Sequence, residues 1–130
     1  MSAPLTYLYV GNGETRDISA FRLDGGNGDL APIGTFAVPG PTDPCFSFPL
    51  AVSPDKRFLF AVLRNQPWSV RSFAIDAASG RLDYLGFGPL ADNTCYISAD
   101  KTGRFLLSAS YQGNKIAVNT IGSDGIVQPP

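Results

Sequence analysis

The chain has 130 residues, 44% of them hydrophobic, with ten basic against eleven acidic side chains. That is enough apolar material for one folded domain, and a net charge of -1 excludes the basic footprint that draws a protein to nucleic acid or to an anionic membrane. No apolar run approaches the roughly 18 residues that span a bilayer. The opening MSAPLTYLYVGNGE lacks the basic start and apolar stretch of a secretory leader. A soluble cytoplasmic protein is expected, with Cys45 and Cys95 as reduced thiols.

Predicted strands follow in chain order, each a short apolar or alternating run closed by turn residues. TYLYVGN (6–12) comes first, then DISAFRLD (17–24) and GDLAPIGTFAV (28–38). PLAVS (49–53), RFLFAVL (57–63), SVRSFAID (69–76) and RLDYLGFG (81–88) make a second group. CYIS (95–98), RFLLSAS (104–110) and IAVNTIG (116–122) make a third. FLFAVL is apolar throughout, the pattern of a strand covered on both faces. SVRSFAIDAAS would tolerate a helix, but its β-branched and aromatic content and the stop at Gly80 favour a strand.

The groups repeat. Ser53, Asp55 and Lys56 align with Ser98, Asp100 and Lys101 at an offset of 45, and Arg57, Phe58 and Leu59 with Arg104, Phe105 and Leu106 at 47. The difference implies that Thr102-Gly103 is inserted and lengthens a turn. Ile18, Phe21, Leu23 and Asp24 lie 52 residues before Val70, Phe73, Ile75 and Asp76. A four-strand unit recurring at this period is the signature of an all-β, β-propeller architecture. The repeats predict about two and a half blades: 5–38 lacking its inner strand, 46–90 complete, and 95–130 lacking most of its outer strand. Gly11-Asn12-Gly13 and Gly25–Gly28 are followed by no Lys-Ser or Lys-Thr and by no helix, so they read as hairpin turns and not as phosphate loops. With no CxxC pair and no histidine, nothing indicates a metal site or a cofactor.

The ordered series SPDKRFLF, DAASGRL, TGRFLLSASY and GNKIAV resembles the lactonase family of seven-bladed propellers, over Thr6 to about Val127. That family includes bacterial 6-phosphogluconolactonases and carboxymuconate-lactonizing enzymes. The resemblance implies a hydrolase acting on a sugar lactone, 6-phosphogluconolactone first, in carbohydrate metabolism. A carboxymuconate-type cycloisomerase and a non-catalytic binding or assembly module are the alternatives. It also implies roughly the opening two-fifths of a ring on the repeat arithmetic. Such a fragment is expected to be inactive alone and to self-associate through open blade edges.

By the same resemblance, loops between second and third strands, and those before inner strands, face the pocket. This places Arg16, Arg64 and Lys115 on the pocket side, and Lys56, Arg57, Lys101 and Arg104 at solvated turns on the far side. Arg64 is the leading candidate, since a guanidinium clamps a phosphate or stabilises an oxyanion; the competing expectation pairs it with Asp43 or Asp17. Tyr96 stands at an inner-strand start where some relatives place His. With no His present, the usual neutral-pH base is missing, and Tyr96 remains a hydrogen-bonding or packing residue. Asn93 beside Asp92, and Tyr111 and Asn114, are candidate contacts for sugar hydroxyls. Trp68 is expected to pack over the rim, and Cys95 has no base to activate it. These residues do not make a complete catalytic set.

Overall fold

The computed structural model describes residues 5–41, 43 and 47–130. Cys45 and the residues before Leu5 lie outside them. Every regular element among the described residues is a strand, and the strands form three antiparallel sheets. The first holds β1 (Thr6–Asn12), β2 (Asp17–Leu23) and β3 (Leu30–Ala37) in that order. The second holds β4 (Leu50–Val52), β5 (Phe58–Leu63), β6 (Ser69–Ile75) and β7 (Leu82–Pro89). The third holds β8 (Tyr96–Ala99), β9 (Phe105–Ser110) and β10 (Lys115–Thr120). Residues 69–75 form a strand and not a helix. They are hydrogen-bonded along both edges, to β5 and β7, and their side chains alternate between two buried clusters, Phe73 in one and Val70 in the other. β4 is shorter than the predicted 49–53. Pro49 has no N–H for the ladder, although its carbonyl still accepts the Val62 N–H at 3.0 Å.

β5 decides how the sheets stack. Its side chains alternate faces. Leu59, Ala61 and Leu63 join Phe73 and, from the first sheet, Ile18 in one buried cluster. Phe60 and Val62 join Val70 and, from the third sheet, Ile97 and Leu106 in another. The second sheet is therefore apolar on both sides. Polar side chains cross the seams as well. Tyr7 and Tyr9 in β1 donate their hydroxyls to the carbonyls of Ala77 and Gly80, at 2.8 and 2.7 Å. Burial, and then the neighbouring Tyr7, push the Tyr9 phenol up to about 12. On the other seam Asn119 Nδ2 donates to the carbonyls of Pro89 and Gln128.

The first-to-second-strand turns correct the sequence alignment. Ser53 N–H donates to the Phe58 carbonyl and Asp100 N–H to the Phe105 carbonyl, both at 2.9 Å. In return Ser53 Oγ and Asp100 Oδ1 accept the Phe58 and Phe105 N–H groups. Lys56 and Gly103 occupy the same left-handed position, with φ of 63 and 73. The two turns have equal length, Thr102-Gly103 is no insertion, and the offset stays at 47 through the inner strand. Ser53 thus matches Asp100 and not Ser98. What has changed places is the chemistry: a hydroxyl at 53 bonds the carboxylate at 55, and a carboxylate at 100 bonds the hydroxyl at 102.

Asp100 gathers four donors: the Thr102 hydroxyl and the N–H groups of Thr102, Arg104 and Phe105. The Thr102 hydroxyl first, with those backbone groups, lowers its carboxyl from 3.8 to about 2. A depressed folded-state value adds stability above the unfolded value, and that stability is lost as pH falls through the folded one. Asp100→Asn should therefore narrow the difference in thermal midpoint between pH 6 and pH 2 relative to the parent. Equal acid sensitivity of the two proteins would mean that these bonds contribute nothing to folding.

Candidate functional site

One end of the sheets gathers the connection after β3, the β5–β6 and β9–β10 loops, and the connection from β7 to β8. Antiparallel pairing puts all four there: β5 and β7 end on the side where β6 begins, and Tyr96 at the start of β8 pairs with Ala109 near the end of β9. Arg64 follows directly on β5. Its Nε donates to Asn93 Oδ1 at 2.7 Å and its Nη1 to Ser47 Oγ at 2.6 Å. Asn93 Nδ2 donates onward to Gln112 Oε1 at 2.6 Å. Asp92 Oδ1 accepts the Asn93 N–H at 2.6 Å, and Asp92 Oδ2 lies 3.4 Å from Lys115 Nζ. The Asn93 N–H, with Lys115 beside it, holds the Asp92 carboxyl below its ordinary value. Gly113 packs so closely on Asp92 that a Cβ there would overlap the carboxylate.

Among the described residues no carboxylate lies within 4.0 Å of the Arg64 guanidinium. The expected pairing with Asp43 or Asp17 is not formed. Asp17 accepts from Asn12 Nδ2 and Thr15 Oγ1, and Asp43 meets this loop through its carbonyl, which accepts from Asn65. Arg64 is thus a half-buried cation held by two neutral acceptors. A guanidinium has five N–H donors in a fixed fork, which leaves capacity for a phosphate or carboxylate. The same loop continues into Gln66, Pro67 and Trp68, which with Pro89 and Leu90 line an open cleft of about 560 Å³.

The other candidates separate. Tyr111 is 69% exposed, next to Gln112. Asn114 takes a left-handed turn conformation, φ 53, which asparagine tolerates. Tyr96, 66% exposed, lies through its pairing with Ala109 on the outer face of the third sheet, the face of Leu107, Ile116 and Val118. Trp68 packs against the second buried cluster. Arg16 donates to the Pro41 carbonyl at 2.8 Å. The Cys95 thiol donates to the Ala109 carbonyl. At the opposite end Arg57 and Arg104 lie over the rings of Phe58 and Phe105. Ser47 and Gln112 escaped sequence reasoning. Gln112 carries a weak signal, its place in the polar YQGNK loop; Ser47 carries none, because only folding brings it to Arg64.

The sequence matches the description "Lactonase, 7-bladed beta-propeller" over residues 7–130. The chain belongs to the lactonase family of seven-bladed β-propellers. Three antiparallel sheets packed face to face make it a partial propeller of that family. A 6-phosphogluconolactonase of Pectobacterium carotovorum subsp. carotovorum is 37% identical over 123 residues, 95% of this chain and 35% of the relative. A Yersinia pestis 6-phosphogluconolactonase is 34% identical over the same share of this chain. The solved structure of a periplasmic gluconolactonase from Pseudomonas aeruginosa superposes with a TM-score of 0.73 at 29% identity, covering 95% of this chain and 36% of that one. The chain spans about a third of the length of the curated relatives it matches. No helix of the described residues is long and apolar enough to cross a membrane.

Proposed function

We propose that this lactonase-family chain contributes the anion-binding part of a site that hydrolyses a phosphorylated sugar lactone, 6-phosphogluconolactone. The reading is carried by Arg64, a half-buried guanidinium held by Asn93 and Ser47 with no carboxylate partner among the described residues. In the reaction, water oxygen bonds to the ring carbonyl carbon and the ring C–O ester bond breaks. The proton lost by water ends on the leaving alkoxide, and a carboxylic acid and a hydroxyl result. Arg64 clamps the phosphate and so orients the carbonyl. Tyr111 and Asn114 are our candidates for contacts to the sugar hydroxyls; the Asn93 amide is engaged by Arg64 and Gln112, and Tyr96 lies on the outer face of the third sheet. The chain has no histidine, so we assign the general base to other blades of a closed ring. The outer face with Ile116, 88% exposed, and Val118 is where the next blade of a closed ring packs. The thiol of Cys95, free in this fold, suits the cytoplasm.

Calorimetric titration of the chain with gluconate 6-phosphate and with gluconate tests the reading. The phosphorylated acid should bind more tightly. Arg64→Ala should remove that advantage, a loss of about 10- to 100-fold for a charge-assisted contact, and leave gluconate unchanged. Equal binding of both acids by the parent chain, or an unchanged preference in the variant, would overturn it.

A further inference from the structure

We propose that Asn93 is a positioning residue that fixes the direction of the Arg64 guanidinium while leaving its positive charge free to meet an anion. The inference rests on the anion-binding reading of Arg64 given above.

Hydrogen-bond polarity orients the whole chain of groups. An arginine Nε can only donate, so the amide of Asn93 must turn its Oδ1 to Arg64, at 2.7 Å. Its Nδ2 is then the donor to Gln112 Oε1, at 2.6 Å. Gln112 accepts there and has its own amide nitrogen left to donate. The backbone of Asn93 is pinned in turn, its N–H donating to Asp92 Oδ1. Arg64 comes from the β5–β6 loop, Asn93 from the β7–β8 connection, Gln112 from the β9–β10 loop and Ser47 from the connection before β4. Four segments set one side chain.

The choice of an amide carries the point. A carboxylate at 93 would reach the same guanidinium in the same geometry. It would also neutralise Arg64 and repel an incoming anion. Asparagine keeps the geometry and omits the charge. The carboxylate next to it in the chain, Asp92, is turned to Lys115 and to the Asn93 N–H, and its charge is engaged there.

The test follows the Arg64 Nε–Hε resonance where it is present, and in every protein the backbone amide resonances of residues 93 and 112, as the 130-residue chain is titrated with inorganic phosphate, together with the midpoint of thermal unfolding. The proteins compared are the parent, Asn93→Asp, Asn93→Ala and Arg64→Ala. Asn93→Asp should hold or raise the midpoint, since an ion pair replaces a neutral bond. It should at the same time weaken phosphate at least about tenfold, because the charge is paired off at contact distance. Asn93→Ala should weaken phosphate less and lower the midpoint slightly. A merely structural residue would move stability and binding downward together; that result in Asn93→Asp overturns the inference, and so does phosphate binding equal to the parent's. If the parent shows no shift on titration, or Arg64→Ala binds phosphate as the parent does, the anion reading of Arg64 falls and this inference with it. Loss in Arg64→Ala with binding retained in Asn93→Asp overturns the positioning role alone.

Discussion

Phe60→Ala should lower the unfolding free energy by about 3–5 kcal/mol, the range for deleting a fully buried aromatic ring. Phe60 is 0% exposed and lies in the cluster that joins the second sheet to the third, with Val62, Val70, Ile97 and Leu106. Those neighbours belong to two sheets tied by their own ladders, so they cannot collapse far into the space left. Ile116→Ala, on the exposed outer face of β10, should change stability by less than about 0.5 kcal/mol. Urea unfolding followed by circular dichroism measures both. Similar losses at the two positions would mean that the second and third sheets do not share a core.

Gly88→Ala should cost about 3 kcal/mol, through crowding and not through a cavity. A Cβ at Gly88 in β7 would overlap the backbone carbonyl of Val127. Backbone cannot rotate away as a side-chain tip can, so the 126–128 segment must lift from the second sheet. Val127, 1% exposed, would then lose its burial. Asn119 would lose its shared grip on the Pro89 and Gln128 carbonyls. Gly25→Ala is the control, since nothing lies within 4 Å of a Cβ there, and it should unfold at nearly the parent's urea concentration. A parent-like midpoint for Gly88→Ala would show that the segment after β10 is not packed on β7.

The candidate site was legible only in part. Arg64 stood out because a long cationic side chain directly ends an apolar strand, and Asn93 because it precedes an inner strand. Their mutual bond was not legible. The two residues are 29 apart in the chain, and no local pattern relates a loop of the second sheet to the connection that leads into the third. Ser47 and Gln112 were missed for the same reason. The expected ion pair with Asp17 failed through local competition: Asn12 and Thr15, on the same hairpin, reach that carboxylate first. Tyr96 shows a further limit. Its place at the head of β8 was predicted, but which face its ring takes follows from the pairing with Ala109, and that face is the one shared with Ile116 and Val118.

Strand identity and order were set by the sequence alone, because they depend on short-range physics. Alternation, continuous apolar runs and turn residues act within a few positions, and the repeat multiplies the same signal. Asp24 and Asp76 each accept a backbone N–H two residues on, and each turn closes on a left-handed glycine, Gly28 or Gly80. That identity was visible 52 residues apart. The register at the other turn was decided only by the fold. Matching letters joined Ser53 to Ser98, whereas the ladder joins Ser53 to Asp100, because a hydroxyl and a carboxylate can each accept the same N–H from the following strand. Hydrogen bonding selects the role and not the residue type. For the same reason only the tertiary structure could place a neutral amide, and not a carboxylate, against Arg64.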